Sequence, residues 1–124
     1  MSQEDLDNQM MVVNDTKIWK IRTIKNYPEA HNHICVGEVL DIENSYVRLK
    51  CRTYHFGKSV NSLKDIRVGE VGVRIISWAR IEIVNELDPG FSYEKAKLNV
   101  DQHKVVLSDG KFSYTIASSY DSRY

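Results

Sequence analysis

The residues best suited to chemistry lie in one short segment, residues 46–56, where cations and aromatic residues alternate with apolar ones. Successive side chains of an extended strand point to opposite faces. One face therefore carries Val47, Leu49, Cys51 and Thr53. The other carries Tyr46, Arg48, Lys50, Arg52, Tyr54 and Phe56. Cations can meet phosphates and aromatic rings can stack on bases, so the pattern indicates a binding surface for nucleic acid.

A second segment with this character spans residues 71–84. Alternation places Arg74, Ile76, Trp78 and Arg80 on one side of it. Trp78 between two arginines could stack on a base, but a large core residue is the more common role of a tryptophan in a small domain. Together the two segments give one predicted set of nucleic-acid-binding residues: Tyr46, Arg48, Lys50, Arg52, Tyr54, Arg74, Trp78 and Arg80.

The distribution of charge supports this interpretation more than the total charge does. The formal net charge is zero, which argues against a protein that coats nucleic acid by bulk charge. Residues 46–80, however, hold eight Lys and Arg residues against two acidic ones, a local charge of +6. Local charge decides binding. The alternative, that these cations form the solvated face of an antiparallel sheet, explains the pattern about equally well.

Catalytic and metal-binding patterns are weaker. The sequence has no nucleophile elbow, no glycine-rich phosphate loop and no reactive-cysteine context, so we expect no enzyme activity and no cofactor. His31, His33 and Cys35 are spaced by two, and His55 could join them from a neighbouring strand. Surface histidines beside a buried cysteine explain this spacing better than a zinc or iron site does.

Cellular location follows from the cysteines and the apolar runs. Cys35 and Cys51 lie in apolar, strand-like runs and are expected to be buried thiols in a reducing compartment. The N-terminus is acidic and lacks the apolar stretch of a secretory signal. Apolar runs elsewhere are short and interrupted by charge, which predicts no membrane span. A cytoplasmic protein is the expectation.

The elements that must position these residues are predicted to be strands. Residues 34–42 and 46–56 should form a hairpin, with Gly37 marking either a bulge or a close backbone approach. Residues 71–84 exceed the usual strand length, so we expect a break near residues 77–79. Asp109-Gly110 between two β-rich runs predicts a hairpin over residues 104–116, whereas residues 91–101 show weak helical spacing.

Many short strands separated by turn residues indicate an all-β barrel or sandwich. Of the two, we expect a small, strongly bent antiparallel β-barrel with a C-terminal hairpin extension. The expected division is a flexible acidic N-terminus over residues 1–16, the barrel over residues 17–87 and the extension over residues 88–124. Asp88-Pro89-Gly90 supplies the boundary.

Two stretches of the chain resemble the Sm-like family of small barrels, within the wider SH3-like group. Residues 35–49 resemble the first Sm motif, in which a glycine-containing strand leads to Asp41, then Asn44, then an apolar strand. Residues 73–84 resemble the second motif, in which two short strands meet at a tight turn and the last pairs with a neighbouring subunit. The resemblance implies a homo-oligomeric ring that binds single-stranded RNA.

The leading hypothesis is therefore a non-enzymatic module that self-associates through an edge strand in residues 71–84 and binds single-stranded nucleic acid, with RNA favoured. The alternative is a structural or adaptor protein of SH3-like fold whose aromatic surface binds another protein. Added salt distinguishes them, since phosphate binding weakens steeply with salt.

Overall fold

The computed structural model describes residues 16–26, 30–102 and 104–118. The predicted acidic N-terminal segment lies outside these residues except for Thr16. The chain forms two antiparallel sheets, which confirms the predicted all-β class. Its described helices are two 3₁₀ turns, Leu63–Asp65 and Trp78–Arg80, of three residues each. Neither is long enough to cross a membrane, and the described residues contain no other helix.

The larger sheet has six strands: β1 (Ile18–Thr23), β2 (Asn32–Ile42), β3 (Tyr46–Phe56), β4 (Ile66–Val68), β5 (Gly72–Ser77) and β6 (Ile81–Leu87). Their spatial order is β4-β3-β2-β1-β6, and β5 also pairs with β3. Strands β4 and β5 thus follow one another along the same edge of β3. The sheet places β5 at one edge and β6 at the other.

The hairpin of β2 and β3 is the centre of this sheet. Gly37 lies where the backbones of the two strands approach each other closely. Gly37 is directly opposite Cys51. A Cβ atom at position 37 would overlap the Lys50 carbonyl oxygen and the Cys51 Cα atom. Of the two roles considered for this glycine, close backbone approach is therefore the correct one, since the register shift of β2 lies between Val39 and Asp41.

The second 3₁₀ turn separates β5 from β6, which confirms the predicted break near residues 77–79. The Ser77 hydroxyl oxygen accepts a hydrogen bond from the Ala79 N–H at 3.3 Å and begins the turn. The predicted closure into a barrel is wrong, because β5 and β6 do not pair with each other. Four apolar side chains of these strands and the turn are partly buried against the cluster that contains Trp19 and Ile21: Ile76, Trp78, Ile81 and Val84.

The smaller sheet is β7 (Lys97–Asp101), β8 (Lys104–Ser108) and β9 (Ser113–Ser118). The predicted hairpin is present as β8 and β9. Its turn depends on Asp109, whose carboxylate accepts hydrogen bonds from the Lys111 and Phe112 N–H groups at 2.8 and 2.7 Å, while Gly110 takes a φ of +94°. The helical spacing seen over residues 91–101 was misleading, since residues 97–101 pair with β8.

Two apolar clusters hold the sheets. One lies under the hairpin of β2 and β3 and contains Trp19, Ile21, Cys35, Val47, Leu49 and Cys51. The other joins the two sheets and combines Ile34, Val36, Tyr54 and Phe56 with side chains of the C-terminal region, among them Phe91, Leu107 and Ile116. The domain boundary at residue 88 stays a prediction, and residues on both sides of it contribute to this second cluster.

Candidate nucleic-acid interface

We call the predicted binding face of β3, with Tyr46, Arg48, Lys50, Arg52 and Tyr54, the β3 row. Arg48 and Lys50 keep the predicted alternation, but each of these cations pairs with a carboxylate. Arg48 Nε and Nη2 each lie 2.6 Å from Asp41 Oδ2, and Lys50 Nζ lies 3.4 Å from Glu94 Oε1. The side chains remain 40% and 48% exposed. Exposed ion pairs of this kind contribute about 1 kcal/mol at most, so a phosphate can compete for either cation.

The same row is covered farther along β3. Arg52 is half-buried and donates a hydrogen bond to the Glu94 carbonyl oxygen at 3.2 Å, and Tyr54 is 1% exposed in the intersheet core. The expectation that Tyr54 presents its ring to solvent is therefore wrong. Alternation placed the side chain on the correct face, but the smaller sheet packs over that end of the face. Tyr46, at the other end, is half-buried.

Arg74, Trp78 and Arg80 contact the protein's own backbone and side chains. Arg74 Nη1 donates to the Cys51 carbonyl oxygen at 2.7 Å, and Trp78 Nε1 donates to the Glu43 carbonyl oxygen at 2.7 Å. Trp78 also packs at a tilt against Trp19, with ring centroids 6.3 Å apart. Arg80 is exposed and donates to Asn26 Oδ1 at 2.9 Å. These contacts favour structural roles for Arg74 and Trp78.

A basic cleft that the sequence did not reveal lies on the opposite face of β3, beside β4. Its volume is about 330 Å³, and we define it by His31, His55, Lys64 and Arg67, with Asp65 and Ile66 completing its lining. His55 lies opposite His33 on β2 and opposite Arg67 on β4. The His33 and His55 rings stack, 4.2 Å apart and 8° from parallel.

Positive charge dominates this cleft. Within the described chain, the Lys64 and Arg67 side chains form no ion pair. The Asp65 carboxylate is already engaged, since it accepts the N–H groups of Asn61 at 2.8 Å and Ser62 at 3.2 Å in the capping box of the first 3₁₀ turn. An anion in the cleft would therefore meet two cations against one carboxylate, and neither cation forms an ion pair within the described residues.

The stacked imidazoles of His33 and His55 favour the neutral form. Burial, followed by the neighbouring His55 and Arg74, lowers the pKa of His33 to about 4. Burial, followed by Arg67, His31 and Arg74, also lowers the pKa of His55. A bound phosphate would offset the repulsion from these cations and raise the pKa of His55, which lines the cleft and can then add a hydrogen-bond donor to an anion site.

The two cysteines lie deeper, on the same face of the hairpin, and both are free and buried. Cys35 Sγ is 3.8 Å from His33 Nε2, and Cys51 Sγ is 3.8 Å from Arg74 Nη1. Their mutual hydrogen bond and their burial raise the pKa of Cys35, whereas that hydrogen bond and Arg74 lower the pKa of Cys51. No group of three or more His, Cys, Asp or Glu side chains in the described residues is arranged to hold a metal ion.

Comparison of the chain with protein-family models, with curated proteins and with solved structures gives no significant match. The resemblance to the Sm-like family therefore stays a prediction, and the case for function rests on the geometry of the clefts and edges.

The register of the central hairpin could have revealed only part of the basic cleft. The turn pairs Ile42 with Val47, and by itself it would set His33 opposite Phe56. The register shift between Val39 and Asp41 moves the pairing by one residue and sets His33 opposite His55, so the histidine pair was not readable from the turn alone. The approach of Lys64 and Arg67 was not readable in this way, because it depends on where β4 joins the edge of β3.

Proposed function

We propose that the protein is a non-enzymatic module that binds single-stranded nucleic acid, with RNA favoured, and that phosphates occupy the basic cleft. The supporting observation is the convergence of Lys64 and Arg67 with His31 and His55 around a cleft whose carboxylate, Asp65, already accepts backbone hydrogen bonds. A single strand is the expected form because its flexible backbone can enter a concave site. Free, buried Cys35 and Cys51 suit the reducing cytoplasm.

The β3 row has a secondary role in this proposal. Arg48 and Lys50 lie on the opposite face from the cleft and would contact phosphates only by exchanging Asp41 and Glu94 for them. Such an exchange gains less than contact with an unpaired cation, since the existing ion pair is lost. We therefore expect the cleft to contribute more to affinity than the row does.

The decisive experiment compares three double variants in binding to a fluorescein-labelled oligouridylate. Lys64→Gln with Arg67→Gln should weaken binding by roughly tenfold per lost contact and reduce the log–log salt slope by about 0.7 per contact. Arg48→Gln with Lys50→Gln should have a smaller effect. Fluorescence anisotropy across a salt series measures both quantities.

The matched control is Lys104→Gln with Lys111→Gln, which removes the same charge from the hairpin of β8 and β9. Its affinity should stay close to that of the parent protein. Equal losses of affinity in the control and cleft variants would show that net charge, and not the position of the cleft cations, determines binding. Absence of measurable binding by the parent protein would end the nucleic-acid proposal and favour the adaptor function.

We also propose that the protein assembles into a closed homo-oligomer through the edges of its larger sheet. Strand β5 exposes Val73 and Ile75, which are 56% and 64% accessible, beside backbone groups that pair on one side only. Exposed apolar edges of this kind favour pairing with another chain. Strands β5 and β6, joined at a tight turn, match what the resemblance to Sm-like proteins implies, so β5 of one copy would pair with β6 of the next.

The substitution Ile75→Lys should shift this assembly to monomer, because a lysine on an edge strand opposes pairing. Light scattering at tens of micromolar measures the mass directly. Leu63→Lys is the control, since Leu63 is 53% exposed but lies in a 3₁₀ turn and not on an edge. A parent protein that is already monomeric at this concentration would contradict the proposed ring, and the exposed β5 edge would then favour the second candidate function, an adaptor that binds another protein.

A further inference from the structure

A second cleft, separate from the basic one, lies between the two sheets. Its volume is about 340 Å³, and we define this intersheet cleft by Arg52, Tyr54, Leu63, Val68, Lys97 and Leu98. Because Tyr54 lies opposite Val68 while His55 lies opposite Arg67, the two clefts are on opposite faces of the pair formed by β3 and β4. The volume is within the range of small-molecule binding sites.

Two buried donors at this cleft, Arg52 Nε and the Tyr54 hydroxyl, have no hydrogen-bond acceptor within the described structure. Tyr54 is 1% exposed, so bulk water does not supply its hydroxyl with a hydrogen bond. Leaving such a group unpaired destabilises the folded state, and folded proteins seldom do so without a reason. Since both residues line the cleft, a bound ligand can supply the missing partner.

Both unpaired atoms are hydrogen-bond donors. Burial raises the pKa of Tyr54 to about 12 against the opposing charge and side-chain hydrogen bond of Arg52, so the hydroxyl keeps its proton at neutral pH. Because an arginine only donates, this interaction leaves the hydroxyl proton of Tyr54 without an acceptor. Arg52 uses Nη1 for the Glu94 carbonyl oxygen and leaves Nε for another acceptor. A positive charge and a neutral donor side by side select an anionic acceptor, and a planar carboxylate can accept from both.

The remaining lining is apolar at its centre and cationic at its rim. Leu63 and Val68 are 53% and 48% exposed, and Leu98 faces them from β7. Lys97 adds a second cation at the rim. Glu94, whose carbonyl oxygen accepts from Arg52, also carries a carboxylate. That carboxylate pairs with Lys50 at 3.4 Å and accepts a hydrogen bond from the Tyr93 hydroxyl at 3.3 Å, which reduces its repulsion of an incoming anion.

We propose that the intersheet cleft binds a small amphipathic monocarboxylate. The carboxylate accepts hydrogen bonds from Tyr54 Oη and Arg52 Nε, and the apolar chain of the ligand covers Leu63, Val68 and Leu98. Covering these leucine and valine side chains removes apolar surface from water, while the head group satisfies the two buried donors. The site is independent of the nucleic-acid proposal, since it uses none of the four residues that define the basic cleft.

Octanoate is the probe for this site, titrated into the full chain by calorimetry and by NMR of the methyl groups. We expect saturable binding, with shifts concentrated at the methyl groups of Leu63, Val68 and Leu98. Tyr54→Phe and Arg52→Gln should each weaken octanoate binding by about tenfold, because each removes one donor to the carboxylate. Binding of 1-octanol, which has the same chain without the charge, should differ little between these variants and the parent protein.

Matched controls separate the site from general effects. Tyr46→Phe and Arg80→Gln remove the same groups away from the cleft and should leave octanoate affinity unchanged within about twofold. Lys64→Gln with Arg67→Gln should also retain octanoate binding. Unchanged octanoate affinity in both Tyr54→Phe and Arg52→Gln, or methyl shifts spread over the surface without saturation, would overturn the proposal. Tyr54→Phe conserves the ring, so the fold should survive and the comparison stays interpretable.

Discussion

Replacing Gly37 with alanine should destabilise the protein by about 4 kcal/mol or more, at the high end for a single substitution. The added Cβ atom would overlap the Lys50 carbonyl oxygen and the Cα and Cβ atoms of Cys51. Two of these three atoms belong to the backbone of β3, which pairs with strands on both sides and cannot retreat without losing ladder hydrogen bonds. The clash therefore affects the centre of the larger sheet.

Urea denaturation followed by tryptophan fluorescence measures this loss. Gly57→Ala is the control, because a Cβ atom at position 57 would meet nothing within 4 Å. That substitution should leave the free energy of unfolding within about 1 kcal/mol of the parent value. Similar stabilities for the two variants would show that β2 and β3 do not approach as closely at Gly37 as the structure describes.

Truncation of Phe91 to alanine should cost about 3–5 kcal/mol and weaken both sheets together. Phe91 is 3% exposed and belongs to the cluster that joins the sheets. Its ring meets that of Tyr114 edge to face, with centroids 5.1 Å apart, and its N–H donates to the Asp88 carbonyl oxygen at 2.9 Å. Removing the ring leaves a cavity that neither sheet can fill alone.

Two probes test this coupling. Both tryptophans, Trp19 and Trp78, lie in the region of the larger sheet, so their fluorescence reports on that sheet, while amide exchange in β8 reports on the smaller one. The transitions should coincide and shift together in Phe91→Ala. Val73→Ala, which truncates a side chain that is 56% exposed, should change stability by about 0.5 kcal/mol or less. Loss of β8 protection without a fluorescence change would instead support a separate C-terminal domain.

Most strand positions and turns were predictable from the sequence because their causes are local, whereas β7 was not, since its residues show helical spacing. Alternation in residues 46–56 correctly assigned the faces of β3, and Asp109-Gly110 correctly located the hairpin of β8 and β9, since a two-residue period and turn chemistry depend only on neighbours in the chain. The break after Ser77 followed from length, because fourteen β-favouring residues exceed an ordinary strand.

Exposure, by contrast, was decided by tertiary structure. Tyr54 and Lys50 lie on the same face of β3, yet one is buried and the other exposed, because the smaller sheet covers only one end of that face. Nothing in the alternation of residues 46–56 encodes where a second sheet will pack. The basic cleft likewise forms from His31, His55 and Lys64, which come from separate segments. Burial and charge clustering depend on contacts between residues far apart in sequence, and only the packing of the chain brings those residues together.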